Sequence, residues 1–391
     1  MNERILYQDV QDYIHDNLVT DIHKLILKGA NFEGVTIQEI ANQITCKKKS
    51  EKKLPSWFKT KKIYYPSKVN LEQTSSEITA NYKANLISGK NLIDLTGGFG
   101  IDCYSFSKTF EKVFYCEINK SLSEIATHNF KQLAIRNIDT IAENGIEYLK
   151  KNDQNYDVIY VDPSRRNDVR GKVFLLKDCD PNIPKNISLL FKKTKIILLK
   201  SSPILDISSV IKELKFVKQI DIVAINNDVK EVLYILKKGY KNNIQINTLN
   251  FTNKRTQKFY FTNNNKCISK YKEPLEYLYE PNAAILKSGG FHEVSNQLNI
   301  FKLHQHSHLY TSEKRIEFPG REFKIRQITN YDKKKILKLL SEKKANISTR
   351  NFHKTVAQIR KELKVKDGGK DYLFFTTNLH NKFICIYCEK L

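Results

Sequence analysis

The hydrophobic pattern changes period near residue 70. Before it, Tyr13, Ile22, Leu25 and Ile26 fit a helical stripe, and TIQE at 36–39 reads as a capping box for a second short helix. The run KKKSEKK at 47–53 reads as a solvated linker or loop, and the LPSWF that follows, with the only Trp, as a docking segment. From about residue 71, short β-rich apolar runs alternate with helical ones. The strand candidates are NLIDL (91–95), KVFYCE (112–117), DTIAE (139–143), YDVIYVD (156–162), KIILLK (195–200), QIDIVAI (219–225) and EVLYILKK (231–238). DCYSFSKTF, SLSEIATHNFKQLAI, GIEYLKK and PKNISLLFKK supply helices between the earlier strands, and SLSE at 121–124 is a second capping box.

Such alternation predicts a parallel sheet covered by helices on both faces. The last two strands are separated only by NNDVK, so they are expected to pair as an antiparallel hairpin at one edge. The fold class is therefore α/β: a Rossmann-like sheet of seven strands, preceded by a helical N-terminal region. Residues 241–325 read as a small α+β unit. Residues 326–391 hold a basic helix, a Gly-Gly turn at 368–369 and the β-rich runs DYLFFTTN and FICIYCE.

Charge adds a direction. The chain has 391 residues and a formal charge of +24, and the last 151 residues hold 29 Lys+Arg against 13 Asp+Glu. A field of that size attracts polyanions, of which nucleic acid is the usual one. A chain rich in Lys, Asn and Ile also fits an A/T-rich genome, but a uniform bias would spread the excess more evenly. No apolar run approaches the roughly 18–20 residues needed to cross a bilayer. The start, MNERILYQDVQDYIHD, lacks a basic segment followed by an apolar core, so no secretory signal is expected. Seven scattered cysteines, an odd number, read as the reduced thiols of a cytoplasmic protein.

The chemistry concentrates in LIDLTGGFGID. An apolar strand ends at Asp94, then Gly97, Gly98 and Gly100 follow, and a helix begins near Asp102. Glycines allow positive φ and close approach of a ligand to the main chain. In a doubly wound sheet this turn lies at the strand carboxyl ends, where ligands bind. Asp94 would repel a phosphate, whereas a cationic or zwitterionic ligand such as a sulfonium amino acid tolerates it. The next strand ends in Glu117, seventeen residues beyond Gly100, a spacing that suits a carboxylate accepting from ribose hydroxyls.

DLTGGFGID, FYCEIN and YVDPSRR together resemble a class I S-adenosylmethionine-dependent methyltransferase. The resemblance places Asp94, Thr96, Gly97, Gly98 and Gly100 in the cofactor loop, with Thr96 where many members have the first glycine. It makes Glu117 the ribose acid and Asn144, in AENG, the adenine-side residue, where Asp is commoner. A narrower resemblance covers most of the chain. LEQTSSEITANYKA (71–84), YEPNAAILKSGGF (279–291), SHLYTS with FPGREF (307–323) and TRNFHKTVAQIRKEL (349–363) are similar to bacterial methyltransferases with a ferredoxin-like insert and a C-terminal THUMP-like domain. This implies a helical region at 1–70, the methyltransferase domain at 71–240, a ferredoxin-like α+β domain at 241–325 and a THUMP-like RNA-binding domain at 326–391.

Within that family the loop YVDPSRR faces the methyl group. Many nucleic-acid N-methyltransferases carry Asp/Asn-Pro-Pro and an aromatic there. This chain keeps Asp162 and Pro163 but continues with Ser164 and Arg165, so the base-stacking aromatic is missing, which argues away from adenine N6. Asp162 is the candidate to orient or deprotonate an acceptor nitrogen, and it also borders the cofactor. Arg165 and Arg166 are candidates to clamp a phosphate or stack on a base. Lys200, in LLKSSP, is expected near the same cleft, and Gln73 and Ser76 near the cofactor.

On a helical wheel Arg350, Lys354 and Lys361 share one face, opposite Phe352, Val356, Ile359 and Leu363. Those cations are the candidate RNA-phosphate contacts. Cys385 and Cys388 form a CxxC without a second ligand pair, and strand alternation puts them on opposite faces, so no metal is expected. HQHSH at 304–308 reads as a polar turn. Cys179 follows DPSRR by too many residues to serve as a covalent nucleophile.

The expected function is a cytoplasmic, S-adenosylmethionine-dependent methyltransferase of structured RNA, ribosomal or transfer, acting on a base nitrogen. No membrane partner is expected. Two other readings stay open: a methyltransferase of a protein or small molecule, and a non-catalytic RNA-binding protein with a vestigial pocket.

Overall fold

A computed structural model describes residues 1–165, 175–263 and 267–391, and of Arg165 only the backbone. The chain divides into two units. The first comprises Met1–Lys218 with Leu233–Lys241, and the second Gln219–Val232 with Asn242–Leu391.

The first unit opens with α1 (Gln8–Asp16), α2 (Ile22–Lys28) and α3 (Ile37–Lys53). Val10, Ile14, Leu25, Ile40 and Ile44 close a small core among them, with Tyr13 and Ile22 packed against it, while Ile26 of the expected stripe turns outward. The expected capping box forms: Thr36 Oγ1 accepts from the Glu39 N–H at 3.2 Å and Glu39 Oε2 accepts from the Thr36 N–H at 2.8 Å. The lysine run is not a linker. It forms the last two turns of α3, because Lys and Glu are good helix formers and Lys52 and Lys53 sit at the negative end of the helix dipole. In α4 (Pro55–Lys59) the buried Trp57 packs its ring 4.8 Å from that of Phe99 and 5.7 Å from that of Tyr104. Two short helices, α5 (Lys68–Gln73) and α6 (Glu77–Leu86), lead into the sheet.

The sheet region runs β1 (Asn91–Asp94), α7 (Ile101–Phe106), β2 (Lys112–Cys116), α8 (Lys120–Gln132), β3 (Ile138–Ile141), α9 (Gly145–Lys151) and β4 (Val158–Val161). It continues through a two-residue ribbon of β5 (Ser164–Arg165) and β6 (Cys179–Asp180), then α10 (Ile183–Lys193), β7 (Ile196–Ser201), α11 (Ile207–Glu213), β8 (Val217–Ile225) and β9 (Asp228–Lys237). The seven long strands stand in the order β3-β2-β1-β4-β7-β9-β8, and β3, β2, β1, β4 and β7 are parallel. Every residue of β4 is buried, as the middle of a sheet covered on both faces requires. β8 and β9 are the expected hairpin, joined by Asn226 and Asn227 at φ 48° and 65°, left-handed values that Asn tolerates and a tight hairpin turn demands. The unit boundary passes through both of its strands. The SLSE box does not cap α8. Asn119, at the end of the β2 loop, does so two residues earlier by accepting from the Leu122 N–H at 3.2 Å.

In the second unit, β10 (Gln245–Phe251) runs parallel to residues 219–225 of β8, and β11 (Thr256–Thr262) pairs antiparallel with β10. Then come β12 (Tyr277–Pro281), α12 (Ala283–Ser288), α13 (Phe291–Gln297), β13 (Phe301–Lys302), β14 (Tyr310–Ser312), β15 (Gly320–Asn330), α14 (Lys333–Leu339), β16 (Asn346–Arg350), α15 (Val356–Leu363), β17 (Asp371–Thr377) and β18 (Phe383–Lys390). Seven of these strands form a sheet in the order β13-β14-β12-β15-β18-β17-β16. One face packs Ile347, Leu373, Phe375 and Cys385 against Ile359 and Leu363 of α15. The other joins Phe323, Phe374, Ile386 and Cys388 to Leu278, Leu303 and Leu309. Cys385 and Cys388 thus belong to separate cores.

The basic helix differs from expectation. It begins at Val356 with Thr355 as N-cap, because Asn351 takes φ 50° and Arg350 ends β16. Arg350, Lys354 and Lys361 therefore do not share a helix face.

Candidate active site

The tip of β1 is buried and acidic. Asp94 Oδ1 accepts from the Thr96 N–H at 2.8 Å and from the Thr96 hydroxyl at 3.2 Å, and Cys103 Sγ lies 3.2 Å from Oδ2. Burial pushes the Asp94 carboxyl up to about 7, and the nearby Asp102 and Asp162 carboxylates add to the rise, against the opposing hydrogen bonds. The Thr96 hydroxyl in turn accepts from the Asp162 N–H at 2.7 Å. Thr96 is thus a tie between the tips of β1 and β4.

The glycines are fixed by close packing. A Cβ on Gly97 would lie 2.2 Å from the Tyr115 ring, whose hydroxyl donates to the Gly98 carbonyl at 2.6 Å. Gly100 takes φ 88°, and its missing Cβ leaves room for Phe130. Gly98, at φ 56°, is open: a Cβ there would meet only the Thr96 carbonyl, at 3.8 Å. The Gly98 N–H donates to Glu117 Oε2 at 2.8 Å, and Glu117 Oε1 accepts from the Asn119 N–H at 2.8 Å. The acid after β2 therefore lies against the loop after β1, and each carboxylate oxygen keeps a second lone pair for a hydroxyl donor.

Asn144 is placed differently from a simple ligand contact. Its Oδ1 caps α9, accepting from the N–H groups of Ile146 at 2.9 Å and Glu147 at 3.2 Å, so its amide NH2 is the group the cap does not use. Gly145 beside it is a site residue that the motifs did not single out. A Cβ there would lie 2.6 Å from the Leu95 carbonyl, so the loop after β3 sits directly on the tip of β1. The signal was the Gly after Asn in AENG.

After β4, the half-exposed Asp162 carboxylate forms an ion pair through Oδ2 with the Lys200 ammonium at the end of β7. Pro163 lines a small pocket with Cys179, Ser201 and Ser202. Ser164 is exposed and pairs with Asp180, and Arg165 pairs through its backbone with Cys179. Cys179, distant from Pro163 in sequence, is thereby brought beside it. Arg166 lies outside the described residues.

Beneath the loop is a polar cluster that no motif announced. Asp102 Oδ2 accepts from Ser75 at 3.0 Å and from the Tyr160 hydroxyl at 2.8 Å, and the fully buried Lys83 ammonium lies 3.3 Å from Oδ1. Burial alone would raise the Asp102 carboxyl, but Lys83 and Lys200 with the two hydroxyl donors hold it below its ordinary value. In the LEQTSSE segment it is Ser75 that reaches inward. Gln73 is exposed, and Ser76 caps α6 by accepting from the Thr79 N–H at 3.2 Å.

Of the three candidate cations in the second unit, Arg350 donates to the buried Glu280 at 2.7 Å and Lys354 pairs with Glu362 at 2.7 Å, while Lys361 is exposed.

Family models match the second unit twice: a ferredoxin-like domain over residues 277–319 and a THUMP domain-like region over 320–390. A crystal structure from Porphyromonas gingivalis W83, described as a candidate methyltransferase, matches with a TM-score of 0.86 at 29% identity, covering 99% of this chain and 98% of that one. The chain therefore shares the fold of that candidate methyltransferase and carries a ferredoxin-like and a THUMP-like domain in its second unit. Two distant likenesses add nothing to that assignment. They are an rRNA methylase from Streptococcus thermophilus (TM-score 0.31, 13% identity, 41% of this chain and 94% of that one) and a candidate methyltransferase from Streptococcus mutans in complex with SAH (TM-score 0.30, 13% identity, 41% and 97%). No curated protein matches the sequence. Among the described residues of this THUMP-like methyltransferase-fold chain, no helix is long and apolar enough to cross a membrane, and no group of three or more His, Cys, Asp or Glu is arranged to hold a metal ion.

Proposed function

We propose that this protein is an S-adenosylmethionine-dependent methyltransferase acting on a base nitrogen of structured RNA, ribosomal or transfer. One observation carries the reading: the Gly98 N–H contacts the Glu117 carboxylate at 2.8 Å, so the acids closing β1 and β2 flank one open glycine turn. That donor set fits a zwitterionic sulfonium nucleoside. Glu117 would accept from the ribose hydroxyls, Gly97 and Gly98 would let the amino-acid portion approach the main chain, Asp94 would hold its cationic side, and the Asn144 amide would face the adenine. When bound, this group supplies an electrophilic methyl for in-line displacement.

The chain's own residues then have to align the acceptor. Asp162, clamped by Lys200 through one carboxylate oxygen and by Thr96 through its N–H, is the proposed acceptor-orienting residue, taking a hydrogen bond from the target amine. Pro163 and Ser164 border the approach, and from the sequence alone Arg165 and Arg166 are the proposed RNA-holding residues of the same loop. The RNA reading is supported by the THUMP-like match and by charge. Lys333, Lys334, Lys335 and Lys338 of α14, with Lys343 just beyond it and Lys361 of α15, are all exposed. Phosphate contacts of this kind give affinity without sequence reading.

The test is calorimetric titration with S-adenosylmethionine for the wild type and Asp94→Ala, followed by mass spectrometry of RNA nucleosides from a deletion strain and its parent. Binding by the wild type, weakened in the variant, and the loss of one methylated nucleoside are expected. Equal binding by both proteins, or by neither, would overturn the cofactor assignment. An unchanged nucleoside profile would overturn the RNA substrate.

A further inference from the structure

The HQHSH turn covers a charged edge of the second unit's sheet. Arg350 of β16 and Thr376 of β17 are direct partners in the parallel ladder, so their side chains share a face. Leu303 and Leu309, at either end of the turn, pack on that same face. Within the turn, His304 Nδ1 lies 3.0 Å from the Asn351 amide and His304 Nε2 lies 3.0 Å from Asn381 Oδ1, which anchors it over the tips of β16 and β17. His308, at φ 52°, stacks on Phe291 with ring centroids 3.5 Å apart.

Polar atoms are left over at this place. Arg350 uses its NH2 on Glu280 and its NH1 on the Thr349 carbonyl, but its Nε is buried without a partner among the described residues. The Thr376 hydroxyl, on a residue with 0% exposure, has no partner among them either, nor has the buried Nδ1 of His308. Such atoms are costly unless something fills the gap. The surroundings are cationic. Lys302 is buried, and its ammonium donates to the Gln305 carbonyl at 2.9 Å. Burial holds the His308 imidazole down to about 4, and after burial the groups acting on it are Lys302, His306, Arg350 and His292, all basic. Two acids lie at this edge: Glu280 is shared between Arg321 and Arg350, and Glu273 accepts from Asn378 just beyond β17 at 3.2 Å and lies 3.7 Å from His380, so against Lys302, Arg321 and Arg350 an excess of positive charge is left. The Arg321 and Arg350 side chains are 38% and 36% exposed, so a ligand would have to enter from the arginine side.

We propose that Arg350, Thr376 and His308, with Lys302 behind them, form an oxyanion site that takes a phosphate group. A neutral ligand would leave the excess charge uncompensated, and a tetrahedral oxyanion offers acceptors to several donors at once. The site stands apart from methyl transfer, since it needs no cofactor and uses none of the residues at the strand tips of the first unit.

The experiment uses the full chain without cofactor, at constant ionic strength set with chloride. Inorganic phosphate, a short oligoribonucleotide with a 5′-phosphate and the same oligoribonucleotide without it are titrated calorimetrically into the wild type, Thr376→Val and Arg350→Lys. Thr376→Val removes an unpartnered hydroxyl at constant shape, so it should fold and melt at or above the wild-type temperature. The expected result is phosphate binding weakened about tenfold or more in either variant, the loss of one charge-assisted hydrogen bond. Preference for the 5′-phosphorylated oligonucleotide would identify a terminal phosphate as the source. Equal binding of both oligonucleotides would identify a backbone phosphodiester, and binding of inorganic phosphate alone would identify a free anion. Affinities for all three probes that are unchanged in folded Thr376→Val, or no binding of any probe by the wild type, would overturn the proposal.

Discussion

The Thr96 hydroxyl accepts a hydrogen bond from the Asp162 N–H at 2.7 Å and lies 3.2 Å from the Asp94 carboxylate, so one small side chain joins the tips of two neighbouring strands. A glycine at this position would make neither contact. Thr96→Val should leave the Asp162 N–H without that partner and lower stability by about 1–2 kcal/mol, with Thr96→Ser close to wild type. Chemical denaturation of the three proteins measures this. Equal midpoints for the Val variant and the wild type would show that the tie contributes nothing.

Asp94 predicts a pH dependence with a definite sign. Its folded carboxyl titrates near 7, against an ordinary 3.8. The folded state therefore holds the proton more tightly, and this contribution to stability is complete below about pH 4 and lost as pH rises through about 7. Asp94→Asn should flatten that slope and be more stable than wild type at pH 8. Binding of a cationic cofactor should release the proton, so wild-type affinity should rise between about pH 6 and 8. Denaturation midpoints and calorimetry in two buffers of different ionisation enthalpy check both halves.

The glycines should separate by mechanism. Gly145→Ala drives a Cβ to 2.6 Å from the Leu95 carbonyl, which is backbone and cannot swing away, and Gly97→Ala meets the Tyr115 ring. Each should cost about 3 kcal/mol or more. Gly98→Ala has open space and only its positive φ to strain it, so about 1 kcal/mol is expected, with the larger loss in cofactor affinity. Thermal denaturation beside cofactor titration gives the order.

Lys200 is predicted to position Asp162. Lys200→Met should free the carboxylate to rotate and reduce kcat by about tenfold or more, while cofactor affinity changes little. Lys200→Arg should recover part of the loss. A change confined to cofactor affinity would place Lys200 on the wrong side of the cleft.

RNA binding through the second unit should depend on salt. Replacing Lys333, Lys334, Lys335 and Lys338 with Gln should weaken RNA binding at low salt. The slope of log K against log salt should fall by about one for each phosphate that is no longer neutralised. An unchanged slope would favour a protein or small-molecule substrate.

The long apolar strands were legible because β1, β4 and β7 are buried nearly throughout, and a strand covered on both faces reads as one continuous apolar run. The glycines between them were legible because a positive φ or a close approach requires that residue type. Contacts that depend on tertiary placement were not. Nothing in LEQTSSE distinguishes Ser75, which reaches Asp102, from Ser76, which caps a helix. Local capping signals also compete: Asn119 pre-empted SLSE, and the left-handed Asn351 cut the first turn from the expected basic helix. The ion pair of Arg350 with Glu280 joins residues seventy positions apart, beyond the reach of any helical wheel.

The boundary between the two units runs through the β8–β9 hairpin, with 219–232 on one side and 233–241 on the other. On the ribosome, then, the first body waits for a strand that emerges only after the second has begun, and no single cut in the gene yields either body with all of its own residues.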